Sequence, residues 1–155
     1  MGDEATISEA TIHAGAVLIG TTALLILGPS GAGKSLLAWR LLQNGGAAAA
    51  FRFSRLVADD RALLTVHHGR LLVQPAPALA GLIELRGLGI RRLPYEPVAA
   101  VGRAVTLGVT DAPRLPEKAA TIAFHGIKIP HMACRADVDP MPLLAGWLAT
   151  IEGTD

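Results

Sequence analysis

Residues 24–42 read LLILGPSGAGKSLLAWRLL: an apolar run, a glycine-rich turn with one lysine, and then a helical pattern. The turn, Gly28-Pro29-Ser30-Gly31-Ala32-Gly33-Lys34-Ser35, satisfies G-x-x-x-x-G-K-[ST]. Random placement of this chain's glycines, lysines and hydroxyl residues would give that pattern in roughly a few per thousand such chains. Its position sharpens the reading, because a phosphate cradle needs a buried strand before it and a helix N-terminus after it. Backbone N–H groups of residues 31–35 then face the phosphates, and the start of the helix adds partial positive charge. Lys34 is placed to bridge β- and γ-phosphates, and the Ser35 hydroxyl to bind Mg²⁺. The feature therefore asks for a strand–turn–helix unit and predicts nucleotide binding.

The rest of the composition narrows the setting. At 155 residues the chain is expected to be one domain, 1–155, large enough for a real core. Half of it is apolar, 51%, yet aromatic residues make up only 4%, so the core must be built from Ala, Val and Leu. Residues 14–33 carry no charge, but they include five glycines and a proline and lead into the phosphate loop. A buried strand explains them better than a membrane span. The opening MGDEATISEA is acidic, without the basic start of a secretory signal, and a single cysteine, Cys134, forbids an internal disulfide. A cytoplasmic protein is expected. With 14 basic and 13 acidic residues there is no nucleic-acid footprint. No nucleic-acid or membrane partner is predicted.

Hydrophobic patterning gives a strand-rich chain with few helices. Residues 10–20 and 23–28 read as strands around a turn at Thr21-Thr22, and 34–43 as a helix closed by Gly45-Gly46. Residues 54–77 read as two or three strands, with His68-Gly69 as a hairpin turn. GLIELRGLGIRRLPYEPVA mixes an apolar strand with a glycine- and proline-rich segment that suits a loop facing a ligand. Strands over 101–111 and 121–135 and a short helix near the C-terminus, with Pro142 in its first turn, complete the reading. Trp39 and Trp147 fall on the helices and are expected in the core, as is Cys134.

LVADD, residues 56–60, is the second feature with chemistry. An apolar run ending in acid is how a phosphate-loop protein sets a carboxylate beside Mg²⁺. If Asp59 and Asp60 lie in a strand, their side chains point to opposite faces, so one can serve the metal and the other a substrate hydroxyl. His67-His68 read as turn residues. His125 and His131, six apart on strand-like sequence, would share a face, without a partner at metal-ligand spacing.

GPSGAGKS, VADD and IELRGLGI stand in one order here, and with them the chain resembles the catalytic domain of the HPr kinase/phosphorylase family. The resemblance runs from about His13 to Arg135 and is to short members lacking the N-terminal domain. IELRGLGI, 83–90, is similar to the family's own signature. The resemblance implies an α/β fold with a phosphate-loop kinase core, akin in form to phosphoenolpyruvate carboxykinase, and usually a homo-hexamer. It implies a serine kinase that uses ATP and Mg²⁺ to phosphorylate HPr, the carrier of the bacterial phosphotransferase system, and so regulates carbon and nitrogen metabolism. Gly28, Pro29, Ser30, Gly31, Ala32, Gly33, Lys34 and Ser35 match the nucleotide loop. Asp60 matches the aspartate that takes the serine proton, His13 a histidine ahead of the nucleotide strand, and Arg114 a catalytic arginine. Ser35, Asp59 and Glu84 match metal-binding positions, with Arg86 beside Glu84.

The match departs from the family in four places. Leu36 stands where the family has an acid after the loop serine, and GGAAAAFRFS, 45–54, lengthens the helix-to-strand connection. The region after Arg86 is compressed. The family's dephosphorylation loop is here IPHMACRAD, in which only Pro130 and Arg135 correspond. These departures favour transfer to serine over its reversal by inorganic phosphate. Two other readings use the same core: a small-molecule kinase, and an ATP-binding sensor without transfer.

Overall fold

The structure, a computed structural model, describes residues 11–43, 53–111 and 120–150. Its strands are β1 (Thr11–His13), β2 (Gly15–Ile19), β3 (Thr22–Leu27), β4 (Ser54–Ala58), β5 (Arg61–His67), β6 (Arg70–Pro75), β7 (Leu82–Leu85), β8 (Gly89–Arg92), β9 (Ala99–Val109), β10 (Thr121–Phe124) and β11 (Ile127–Arg135). Two α-helices are described, α1 (Lys34–Gln43) and α2 (Pro140–Ala149), with a short 3₁₀ turn at Pro77–Leu79.

Nine strands form one sheet in the order β1-β5-β6-β9-β3-β2-β4, with β11 beside β9 and β10 beside β11, while β7 and β8 make a separate hairpin. Only β3–β9 and β9–β11 are parallel; every other pair is antiparallel. The expected α/β fold is thus a mostly antiparallel sheet with two helices, and its parallel part is confined to the centre. The 11-residue β9 organises that centre. β3 lies along it from Val101 to Thr106, β6 takes its first residues and β11 its later ones.

The sheet rolls, because the two ends of its strand order are joined through the chain. β1 and β2 are separated by Ala14 alone, and β4 and β5 by Asp59 and Asp60. The two interruptions lie opposite each other, since His13 pairs with Arg61 and Ala16 with Ala58. One antiparallel ribbon therefore bends at a single place. Inside the roll, Ala14, Ala16, Ala23, Ala58, Ala62 and Ala104 pack with Leu25, Val57 and Val73. The other face carries larger side chains, Ile26, Leu24 and Val105, beneath Leu37 and Leu41 of α1 and Leu144 of α2. Small residues line the tight side and large ones the helix-covered side. That division explains a core with so few aromatics.

Several expected elements shift in detail. The first turn is Gly20-Thr21 rather than Thr21-Thr22, and Thr22 opens β3. The 54–77 region is three strands. His68 (φ 52°) and Gly69 (φ 75°) both occupy left-handed backbone at its hairpin turn, and His67 ends β5. His125 and Gly126 form a second such turn, at φ 51° and 82°, which splits 121–135 into β10 and β11. His125 therefore sits at a turn and His131 in a strand, so the expected shared strand face does not exist. The glycine-rich segment after Gly81 is an ordered hairpin rather than a loop. Trp39 and Trp147 are partly buried against the helix-side core, and Cys134 is fully buried there. Arg114, the Gly45-Gly46 helix stop and most of the 45–54 insertion lie outside the described residues.

Candidate functional site

The glycine-rich loop, residues 28–35, sits where the sheet's centre meets α1. β3 delivers Leu27 to the end of the parallel pair with β9, and the chain turns at Gly28 with φ 145°. A Cβ there would lie 2.8 Å from the Leu107 carbonyl oxygen, so the position needs glycine for both conformation and space. The Ala32 N–H donates to the Pro29 carbonyl at 3.1 Å and closes the turn. The Leu37 N–H to Gly33 carbonyl bond, 2.9 Å, begins the helical ladder, so the amides of Lys34, Ser35 and Leu36 precede the first intrahelical bond and face outward from the helix start. Lys34 folds back across its own loop, its Nζ donating to the carbonyls of Gly28 (2.8 Å) and Pro29 (3.0 Å).

Asp59 and Asp60 divide at the bend of the ribbon. They lie past the end of β4 rather than in a strand, so alternation is not what separates them. The separation comes from backbone: Asp60 adopts φ 70°, a left-handed conformation that Asp tolerates better than most residues. Asp59 points in, 4% exposed, and is the one buried charged side chain among the described residues. The Ser35 hydroxyl donates to its Oδ1 at 2.7 Å, and the Glu84 amide donates to its Oδ2 at 3.1 Å. Burial raises the Asp59 carboxyl above the ordinary carboxylate range; those two hydrogen bonds oppose the rise, and the charges of Asp60 and Glu84 add to it. Asp60 points out, its Oδ1 3.8 Å from Nδ1 of His13, with both side chains mostly exposed. His13 reaches it because β1 ends at the same bend.

The structure thus brings together Ser35, Asp59 and the Glu84 backbone in one cluster, and His13 and Asp60 in an adjacent pair. The Glu84 side chain is exposed, alternating with buried Ile83, and it is the residue's amide that meets the site. The sequence carried no signal for that amide contact, because it depends on the β7–β8 hairpin packing near the bend. Two cavities, about 290 and 230 Å³, lie away from the loop. Pro29, Ser30 and Gly31 are exposed, and the loop opens directly to solvent.

The fold has a counterpart among solved structures, and part of the sequence has relatives. No family model matches the chain. The HPr kinase/phosphorylase of Clostridium tetani is 35% identical over 92 residues, which cover 59% of this chain and 28% of that protein. That of Streptococcus thermophilus is 40% identical over 81 residues, 52% of this chain and 24% of that protein. Among solved structures, the Hpr(Ser) kinase/phosphatase from Coxiella burnetii superposes with a TM-score of 0.71 at 25% identity. The superposition covers 90% of this chain and 88% of that one. The chain is related to the HPr kinase/phosphorylase family. The matched stretch spans about a quarter of the length of the curated relatives. Against the HPr kinase/phosphatase chain the likeness extends to nearly the whole of both molecules, so the overall fold is shared.

Proposed function

We propose that the chain is an ATP- and Mg²⁺-dependent serine kinase acting on HPr or a carrier like it. One observation carries the reading: at a single bend, Asp59 turns inward to Ser35 of the phosphate loop, and Asp60 turns outward to His13. Phosphoryl transfer needs those two functions side by side, a carboxylate for the metal and a carboxylate for the attacking hydroxyl.

The loop amides and the helix start would hold the nucleotide's phosphates. Lys34 is already within the loop and would exchange the two carbonyls it now meets for phosphate oxygens. The residues fit a magnesium ion: the Ser35 hydroxyl and the Asp59 carboxylate are hard oxygen donors in direct contact. Among the described residues no group of three or more His, Cys, Asp or Glu could hold a metal, so an ion here would take its remaining ligands from water and nucleotide phosphate. When bound, it would neutralise charge on the phosphates. Glu84 stands near enough to add to the field at Asp59. Asp60 is exposed and can receive a hydroxyl presented by another protein, and His13 beside it would orient the carboxylate. Arg114 would complete the charge neutralisation. Arg135 of the altered IPHMACRAD stretch is paired with Asp137 through two 3.0 Å hydrogen bonds.

A nucleotide sensor is the second reading, favoured by Leu36, 58% exposed beside the loop where the family carries an acid. Incubation of the protein with Mg²⁺, γ-labelled ATP and HPr, beside Asp60→Asn and Lys34→Ala, separates the two. Label on an HPr serine with the parent chain, lost in Asp60→Asn, is the expected result. No label, with nucleotide binding that Lys34→Ala abolishes, would replace the kinase with the sensor.

A further inference from the structure

At the opposite end of β3 from the phosphate loop lies a cavity of about 290 Å³, lined by Ile19, Gly20, Thr21, Thr22, Ala23, Leu24, Arg103 and Leu148. The five residue steps from Thr22 to Leu27 put roughly 17 Å of strand between the two places. Arg103 is what makes this cavity chemical. β9 pairs with β3 as Ala23 opposite Val101 and then Leu24 opposite Arg103, so Gly102 is an extra residue in the ladder. In a regular strand without that bulge, Arg103 would share a face with Val101, inside the alanine-lined roll. With it, Arg103 moves to the helix-covered face, where its guanidinium lies 5.2 Å above the Trp147 ring. A bulge that re-aims one side chain is a built feature. Its glycine is also required, since a Cβ on Gly102 would collide with the Thr22 side chain.

The stacked ring occupies one face of the guanidinium and leaves the N–H donors in its plane without a hydrogen-bond partner among the described residues. Among the described residues Arg103 has no carboxylate within ion-pair distance. A half-buried cation with no anion among the described residues, beside two threonines and the apolar walls of Ile19, Leu24 and Leu148, is complementary to a small molecule with one negative end and an apolar body. We propose that this cavity binds a short-chain aliphatic monocarboxylate, its carboxylate on Arg103 and its chain against Leu24 and Leu148. One cation matches one charge, and the planar guanidinium matches a planar carboxylate in two parallel hydrogen bonds. The cavity is near the small end of ligand sites, which limits the chain to a few carbons. This inference does not depend on the kinase reading.

The test is an amide NMR titration of the full chain with hexanoate, beside hexan-1-ol and inorganic phosphate. Saturable shifts at Thr21, Thr22, Arg103 and Leu148 with hexanoate are expected. Arg103→Gln should weaken them about tenfold or more. Leu148→Trp, which fills the cavity and keeps the arginine, should abolish them and decides the matter if Arg103→Gln does not fold. Hexan-1-ol binding as tightly as hexanoate would remove the role of Arg103. Phosphate binding as tightly would leave a general anion site in place of a carboxylate site. Absence of saturable shifts at millimolar hexanoate would overturn the site itself.

Discussion

Asp59 is held against its own preference. Burial raises its carboxyl, and the donors from Ser35 and Glu84 only partly offset that. A carboxyl whose folded pKa lies above the unfolded value, about 3.9, binds more protons in the native state between the two values. Native stability therefore falls as pH rises from about 4 through the raised folded pKa, and then levels off. Asn at this position can keep both contacts, its oxygen accepting from the Glu84 amide and its NH₂ donating to the Ser35 hydroxyl, which serves equally as acceptor. Asp59→Asn is thus expected to melt higher than the parent at neutral pH, with the gain vanishing as pH approaches 4. Thermal melts across that range check it, and a variant less stable at neutral pH would show that the carboxylate is not desolvated as its burial indicates. Asp60 and His13 lie exposed at the same bend.

At the level of elements, α1 and α2 are tied through one side chain. Asp139 caps α2 by accepting from the Met141 amide at 3.1 Å, and the same carboxylate takes Nη1 and Nη2 of Arg40 on α1 at 2.6 and 3.1 Å. Asn at this position would keep the cap and lose the ion pair; Ala would lose both. Melting temperatures are expected in the order parent, Asp139→Asn, Asp139→Ala, with total shifts of a few degrees and the first gap closing in high salt. An unchanged Asp139→Ala would mean that α2 is positioned by Leu144 and Met141 alone. The strand–loop–helix unit at 22–43 was legible in the sequence because each of its signals is local: an apolar run, glycines at forced dihedrals, a helical pattern. The His68-Gly69 turn was legible for the same reason. His125-Gly126 carries the same dipeptide chemistry, but it is embedded in one long strand-like run that hides the hairpin. The β7–β8 hairpin was hidden by glycines that suggest a loop. The split of Asp59 from Asp60 was anticipated, for the wrong cause: nothing near 59–60 dictates the left-handed turn, which follows from the closure of the sheet.

That closure belongs to the whole molecule and was not legible at all, since it depends on pairings such as Ala23 with Val101 and Ala16 with Ala58 between distant segments. It also makes the two faces of the sheet respond differently to substitution. Ala16, fully buried in the roll, lies opposite Leu25 on β3 and Ala58 on β4, next to the bend that aims Asp59. Leu144, equally buried, lies beneath α2 on the helix-covered face. Ala16→Leu adds three carbons to a space that strands on both sides define, and overpacking of that kind costs about 1–3 kcal/mol. Leu144→Ala opens a cavity instead, at about 2–5 kcal/mol. The decisive difference lies in the site. An overfilled roll must push β2 from β4, and the neighbouring bend, with the Ser35–Asp59 contact, moves with it. A cavity under α2 leaves that contact alone. Urea unfolding is expected to show both variants destabilised, whereas a fluorescent ATP analogue with Mg²⁺ should bind more weakly only to Ala16→Leu. If the two lose affinity equally, the bend is not the joint between fold and site, and the nucleotide loop is being held by the helices rather than by the roll.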